Sequence, residues 1–146
     1  MNKDKPILKF FLGANTASGF VSRFDQLAKP KEGWRLFIIK GGPGSGKSTL
    51  MKKIAEKFAD DENLEIIHCT ADPSSLDAVI VPSKKFSICD GTAPHIQSPK
   101  YPGAFESVVD LSVCWDDDVL FEHRDEIIEL SNKISRSHEY ACRFLS

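Results

Sequence analysis

The stretch Gly41-Gly-Pro-Gly-Ser-Gly-Lys-Ser-Thr49 decides the fold of this 146-residue chain. It fills every fixed position of the pattern G-x-x-x-x-G-K-[ST], which is typical of loops that bind the phosphates of a nucleotide. The preceding segment 35–40 is apolar enough for a buried strand, and residues 50–61 have helical periodicity. A strand, this loop and a helix in succession predict a phosphate-binding unit at the start of the helix.

We call residues 41–49 the glycine-rich loop and expect its backbone N–H groups to surround the phosphates of ATP. Lys47 would contact the β- and γ-phosphates, the Ser48 hydroxyl would bind Mg²⁺, and Thr49 would contact the α-phosphate. A glycine-rich turn that only ends a strand is the alternative, which the correct flanks disfavour. The predicted nucleotide-binding residues are Gly42, Pro43, Gly44, Ser45, Gly46, Lys47, Ser48 and Thr49.

Asp90 is the second predicted feature of the site. It directly follows the apolar strand predicted at 86–89. In nucleotide-binding proteins with such a loop, an acidic residue at a strand end holds Mg²⁺ directly or through water. We therefore assign Asp90 to the metal site together with Ser48, and to the catalytic residues together with Lys47. The alternative is an ordinary turn, because Asp-Gly is a common turn signal.

The base that would activate a water molecule is left open. Gly91 stands where many ATPases have a glutamate. Asp72, His95 and Glu106 are the candidates by position. We place His95 among the catalytic residues because an imidazole titrates near neutral pH, although a structural hydrogen bond is the alternative for a loop histidine. Lys100 could reach a phosphate from the same loop, but a solvated surface lysine fits better.

Composition excludes several classes of function. A hydrophobic content of 41% and a charged content of 27% are ordinary for a soluble domain. The net charge of −2 provides no basic field for nucleic acid, and no apolar run approaches the roughly 20 residues of a membrane span. We expect a cytoplasmic protein with buried free thiols. The cysteines are Cys69, Cys89, Cys114 and Cys142.

The alternation of strands and helices predicts an α/β protein, a three-layer P-loop NTPase fold with a mainly parallel sheet. We expect three or four central strands and a long helix from Asp116 or Asp117 to Leu145. Other segments are predicted as a strand or entry segment at 6–12, a loop at 13–19, a helix at 20–27, a strand at 64–69, a turn at 72–77, a short apolar run at 78–81 and a loop at 91–103.

The small number of strands affects the predicted domain organisation. Nucleotide-binding domains of this type usually have about five strands with helices on both faces. The helical pattern also continues to the last residues without a capping signal. We therefore expect residues 1–146 to form a single nucleotide-binding domain that is incomplete, as an N-terminal fragment of a longer protein.

Several segments together resemble a bacterial ATP-binding family with two phosphate-loop halves, known mainly from Firmicutes. The resemblance lies in segments 13–21, 40–52, 69–77, 90–95 and 99–103. It implies a cytoplasmic ATP-binding protein of about twice this length, with a second phosphate-loop half absent from this sequence. It implies no particular substrate.

A weaker resemblance concerns Asp90-Gly-Thr-Ala-Pro-His95, which is similar to the strand-end Asp-Gly-x-Pro-Arg of adenylate kinases. Nucleotide kinases use several arginines to hold the transferred phosphoryl group. Here no arginine occurs between Arg35 and Arg124, which argues against a kinase.

We therefore predict an ATP-binding P-loop NTPase that binds MgATP and hydrolyses it slowly or with a partner. That partner could be a protein or a second phosphate-loop half. One alternative is a nucleotide or small-molecule kinase. The other is a non-enzymatic switch, in which ATP binding would make the C-terminal helix dock a partner.

Overall fold

The computed structural model describes residues 7–94 and 96–145. Two of its strands, β2 (Gly13–Thr16) and β3 (Gly19–Ser22), form an antiparallel hairpin. The others form one six-stranded sheet: β1 (Leu8–Phe10), β4 (Arg35–Lys40), β5 (Glu65–His68), β6 (Leu76–Val81), β7 (Phe86–Asp90) and β8 (Glu106–Asp110). The strand order in this sheet is β1-β5-β6-β7-β4-β8.

The sheet is mainly parallel, as predicted, with one reversed strand. β1 pairs with β5, and β4 with both β7 and β8, in parallel. β6 pairs antiparallel with its neighbours β5 and β7. Because of this reversal, the first residues of β6 lie at the same sheet edge as the last residues of β4 and β7.

Helix α1 (Lys47–Lys57) covers one face of the sheet. Its buried residues Met51 and Ala55 pack in a core cluster with Leu76 and Val79, while the lysines on its other side face solvent. The helical spacing of the apolar residues therefore produces the expected amphipathic helix. It begins at Lys47, three residues before the predicted start, because the glycine-rich loop leads directly into its first turn.

In the part of the chain that the structure describes, the opposite face of the sheet is covered by short turns and loops instead of an α-helix. Its core includes Phe24, Leu27 and Phe105, which lie outside the α-helices. The short 3-10 turns Phe24–Gln26 and Pro30–Glu32 occupy this side. The predicted three-layer arrangement has helices on both faces of the sheet. In residues 7–94 and 96–145, an α-helix packs on one face, and 3-10 turns occupy the other.

The C-terminal part is helical, but as two helices. α2 (Asp117–Glu122) and α3 (Arg124–Cys142) are separated at His123, whereas one helix was predicted. Asp116 begins α2 as its N-cap, with its carboxylate accepting a hydrogen bond from the Val119 N–H at 3.2 Å. Apart from Cys142, every residue of these helices is exposed.

Several sequence predictions of local structure are wrong. The loop predicted at 13–19 and the helix at 20–27 are replaced by the β2–β3 hairpin and a 3-10 turn. The turn predicted at 72–77 already contains the start of β6. β8 was not predicted because its sequence, Glu-Ser-Val-Val-Asp, has a weak apolar pattern. These short strands are determined by pairing with neighbours rather than by local propensity.

Within residues 7–94 and 96–145, no helix is both long enough and apolar enough to cross a bilayer.

We predict that Met51→Ala lowers the free energy of unfolding by about 2–5 kcal/mol, because it leaves a cavity between α1 and the sheet. Met51 is fully buried there. Urea denaturation followed by circular dichroism measures the change. Lys52→Ala, at the next and exposed position, should change it by less than about 0.5 kcal/mol. Equal midpoints for the two variants would contradict this assignment of the core.

Candidate functional site

The glycine-rich loop connects the end of β4 to the start of α1. Gly44 and Gly46 have φ angles of 76° and 91°, which residues with a Cβ rarely adopt. The loop is closed by a hydrogen bond from the Ser45 N–H to the Gly42 carbonyl at 3.3 Å. The first turn of α1 follows at once, so that its unpaired N–H groups, with their partial positive charge, lie beside the loop.

Lys47 bridges the loop and the neighbouring strand. Its ammonium group donates hydrogen bonds to the carbonyls of Gly41 at 2.8 Å and Gly42 at 2.9 Å. Its Nζ also lies 3.8 Å from Asp90 Oδ2, and the Lys47 side chain is only 11% exposed. Two residues predicted from separate motifs are thus brought together, and a positive charge is held at the centre of the site.

One polar atom of the loop has no partner among the described residues. The hydroxyl oxygen of Ser45 is buried and makes no hydrogen bond. A buried polar atom without a partner costs about 1–3 kcal/mol. An anion bound in the loop would offer this hydroxyl an acceptor, which is consistent with the predicted role of Ser45.

Ser48 connects α1 to the reversed strand. Its hydroxyl oxygen accepts a hydrogen bond from the Leu76 N–H at 3.0 Å. Since a serine hydroxyl has two lone pairs and one proton, this bond uses one lone pair. The oxygen can therefore still serve as a ligand for a cation.

Asp90 is oriented by Thr92, a residue that the sequence analysis did not single out. The N–H and hydroxyl of Thr92 donate to Asp90 Oδ1 at 2.8 and 2.5 Å. The other oxygen, Oδ2, is the one that faces Lys47. Hydrogen bonds to an ionised carboxylate are about twice as strong as those between neutral groups, so Thr92 fixes the direction of this carboxylate. An Asp-x-Thr spacing at a strand end is the sequence signal that could have revealed it.

The residue after Asp90 has no room for a side chain. A Cβ added to Gly91 would lie 2.3 Å from Cγ2 of Ile38. The chain is then held by Lys40, whose ammonium group donates to the Gly91 carbonyl at 2.5 Å and the Gln97 carbonyl at 2.6 Å. The close approach of β7 and β4 thus explains why a glutamate cannot stand at this position.

The glycine-rich loop, the start of α1 and the ends of β6 and β7 surround a pocket of about 310 Å³, near the lower end of the range for small-ligand sites. The loop and the first turn of α1 form one wall, and the edge of the sheet forms the other. The lining residues are Gly44, Ser45, Gly46, Lys47, Ser48, Thr49, Cys69, Ser75, Leu76, Asp77 and Asp90.

The candidate bases fall in different places. Asp72 is exposed, and both its carboxylate oxygens accept hydrogen bonds, from the hydroxyls of Ser74 and Ser75 at 2.6 Å. These two bonds hold the pKa of Asp72 below its usual value, so that it is a poor base. Neither Ser74 nor Asp72 lines the pocket. His95 lies outside the described residues.

Glu106 and Lys100 are placed away from the pocket. Glu106 is buried, and its carboxylate accepts a hydrogen bond from the Tyr101 N–H at 2.8 Å. Both residues line a separate cavity of about 240 Å³ with Phe24 and Ile38, whose core cluster lies on the face away from α1. A structural role for Glu106 follows from this position.

Asp77 belongs to the pocket, although the sequence analysis did not select it. Its side chain lies at the start of β6 and is 4% exposed. The signal for it is a single acidic residue in the otherwise apolar stretch Leu76–Val81. Asp77 was not selected because residues 72–77 were predicted as a turn, where aspartate is common.

The cysteines are free thiols, as predicted, but their burial differs. Cys89 is buried, whereas Cys114 is exposed and Cys69 and Cys142 are half-buried. Burial, as the largest cause, and the charge of Asp90 raise the pKa of the Cys89 thiol to about 12; Lys40 opposes this shift and Asp77 adds to it. Cys89 is therefore an unreactive thiol, whereas Cys69 lines the pocket.

Comparison with known proteins gives two partial likenesses. Residues 22–92 match the family described as novel STAND NTPase 3. A stretch of 58 residues is 43% identical to 2′,3′-cyclic-nucleotide 3′-phosphodiesterase from Pongo abelii; it covers 40% of this chain and 12% of that protein. No solved structure matches the chain.

The family match supports a nucleotide-binding NTPase function, and the matched region contains both the glycine-rich loop and Asp90. The finer resemblance to a two-half family of Firmicutes stays a prediction. The curated relative is matched over so small a part of its length that its activity is not transferred to this chain.

We predict that Lys40→Met accelerates amide hydrogen exchange in residues 91–97. The loss of the two hydrogen bonds from Lys40 releases this segment, and each bond to a charged group contributes about 1.5–3 kcal/mol. The Gln97 amide, which donates to the Gly91 carbonyl, should exchange at least ~10-fold faster. Lys53→Met, at an exposed position of α1, is the control. An unchanged exchange rate at 91–97 would show that Lys40 does not hold the segment.

Proposed function

We propose that this chain binds ATP with Mg²⁺ in the pocket between the glycine-rich loop and the sheet edge, and hydrolyses it slowly or with a partner. The observation that carries the proposal is the position of Lys47. Its ammonium group is held by loop carbonyls beside Asp90, where an incoming phosphate would be a stronger partner.

The residues of the pocket fit a magnesium–nucleotide complex. Ser48 and Asp90 offer hard oxygen ligands, which Mg²⁺ prefers, and the buried Ser45 hydroxyl has an unused proton to donate. When bound, the metal would neutralise charge on the β- and γ-phosphate oxygens. Lys47 would add a further positive charge to the transferred phosphoryl group, and Thr92 would keep the Asp90 carboxylate directed into the pocket.

Slow or partner-dependent hydrolysis is proposed because neither Asp72 nor Glu106, the two described candidate bases, lines the pocket. The packing of Gly91 against Ile38 excludes a glutamate there. Asp72 and Glu106 are engaged elsewhere. The residues present would thus bind and orient a triphosphate better than they would activate water.

We expect Lys47→Ala to weaken binding of a fluorescent ATP analogue, measured with Mg²⁺, by about 10–100-fold, since each hydrogen bond to a charged group contributes about 1.5–3 kcal/mol. Lys53→Ala, which removes the same charge from an exposed position of α1, should bind like the wild type. Equal affinities of the Lys47→Ala variant and the wild type would overturn the proposal, as would a wild type that binds no nucleotide.

Thiol alkylation of the same protein tests whether the nucleotide binds in this pocket. MgATP should slow the alkylation of Cys69, which lines the pocket, and leave Cys142 in α3 unchanged. Lys47→Ala should lose this protection at a nucleotide concentration that protects the wild type. If the analogue binds while Cys69 stays fully reactive, the nucleotide lies elsewhere.

One observation favours a nucleotide-dependent switch as a second candidate. A Cβ added at Gly42 would lie 3.4 Å from the indole ring of Trp115, so this ring packs on the glycine-rich loop. Trp115 directly precedes Asp116, the N-cap of α2. A rearrangement of the loop around a nucleotide could therefore reach the exposed helices α2 and α3.

For such a switch we expect ATP to slow hydrogen exchange in residues 117–142, and Trp115→Ala to abolish that change without loss of nucleotide binding. The matched control is Trp34→Ala, because Trp34 packs against the core cluster on the other face of the sheet. If ATP leaves the exchange rates of residues 117–142 unchanged, the switch hypothesis is ruled out, whereas the proposal of ATP binding stands.

A further inference from the structure

We propose that Asp77 joins Asp90 and Ser48 in binding the divalent cation that accompanies the nucleotide. This inference rests on the proposed function and adds to it a metal-binding residue that the sequence motifs do not contain. It follows from where the reversed strand β6 begins.

The pairing of β6 with β7 places Asp77 next to Asp90. The antiparallel ladder between the two strands ends at the pair Ala78–Cys89, and Asp77 and Asp90 are the next residues of β6 and β7. On its other side β6 has an irregular register here, because Ile67 pairs with Ala78 but His68 with Leu76. Asp77 and Asp90 both line the pocket, which places the two carboxyl groups at the same end of the sheet.

A hydrogen bond fixes the start of β6 beside the predicted metal ligand of α1. The Leu76 N–H donates to the Ser48 hydroxyl at 3.0 Å, and Asp77 is the next residue. Three oxygen-bearing side chains from three different elements therefore meet in one pocket: Ser48 from α1, Asp77 from β6 and Asp90 from β7.

Asp77 is a buried acidic residue in an otherwise apolar strand. It is 4% exposed in a strand whose other residues are apolar and buried. Aspartate is almost never so buried unless it is paired, because the desolvation of a carboxylate costs several kcal/mol. Exceptions to the apolar pattern of a core strand occur chiefly at functional sites.

The charges of the pocket point to a cation. Lys47 supplies one positive charge, against the two carboxyl groups of Asp77 and Asp90, and a triphosphate would add further negative charge. No set of three or more His, Cys, Asp or Glu residues forms a metal cage in the described parts of the chain. A cation here would complete its shell with phosphate oxygens and water, which is how Mg²⁺ binds beside one or two carboxylates.

The test measures how far a metal ion strengthens nucleotide binding, without any turnover. A fluorescent, non-hydrolysable ATP analogue is titrated in EDTA and in Mg²⁺ for the wild type, Asp77→Asn and Asp60→Asn. Asp77→Asn preserves shape and removes one charge; Asp60→Asn removes the same charge at an exposed position after α1. The metal enhancement is the ratio of the affinity for the analogue in Mg²⁺ to that in EDTA. We expect this ratio to fall at least ~10-fold in Asp77→Asn and to stay unchanged in Asp60→Asn.

The outcomes separate this inference from the proposed function. If the wild type binds no analogue in either buffer, the proposed function itself fails. If the wild type shows the metal enhancement and Asp77→Asn keeps it in full, the inference is overturned and ATP binding stands.

A second variant covers the case in which Asp77→Asn does not fold. Asp77→Glu keeps the charge and lengthens the side chain by one methylene. Since Mg²⁺ demands near-ideal octahedral geometry and Ca²⁺ does not, we expect the ratio of Mg²⁺ to Ca²⁺ enhancement to fall at least ~3-fold. An unchanged ratio in folded Asp77→Glu would contradict a position of Asp77 in the metal site.

Discussion

The Lys47 ammonium group is the charge around which the site is arranged. Its side chain is 11% exposed, and a buried ammonium group is costly unless it is hydrogen-bonded and paired. The carbonyls of Gly41 and Gly42 and the carboxylate of Asp90 meet this requirement. The glycine-rich loop must therefore bend back over its own lysine, and β7 must end beside β4. A phosphate bound in the loop would replace weak carbonyl partners by a charged one.

The sheet topology supplies the rest of the geometry. Parallel pairing of β4 and β7 brings the loop and Asp90 to one edge, where ligands bind in open α/β sheets. The reversal of β6 adds the beginning of a strand to this edge, and the hydrogen bond between Leu76 and Ser48 attaches it to α1. Residues far apart in sequence thus become neighbours through strand pairing and this one hydrogen bond.

Sequence reasoning found the parts of the site that local chemistry determines. The loop, α1 and the strand end at Asp90 were predictable, because glycine spacing, helical periodicity and an apolar run are local signals. Asp77, Thr92 and Lys40 were not, since their roles depend on which strands are neighbours. The same limit explains the helix wrongly predicted at 20–27: its apolar residues belong to a hairpin and to the core opposite α1. The same spacing of apolar residues can therefore arise from one face of a helix or from residues that pack in a hairpin and in the core.

The packing between β4 and β7 links stability to chemistry. Gly91 lies so close to Ile38 that even a methyl group would collide, and Lys40 extends this contact to the following segment. The close packing holds Asp90 beside Lys47, but it removes the position from which a glutamate could act on water. The close packing therefore makes the phosphate-binding geometry rigid, but it leaves no room for a catalytic base at position 91. If Asp77 binds the cation, as we propose, fast turnover would require a base from outside this sheet edge, which is the physical reason to propose a partner-dependent NTPase.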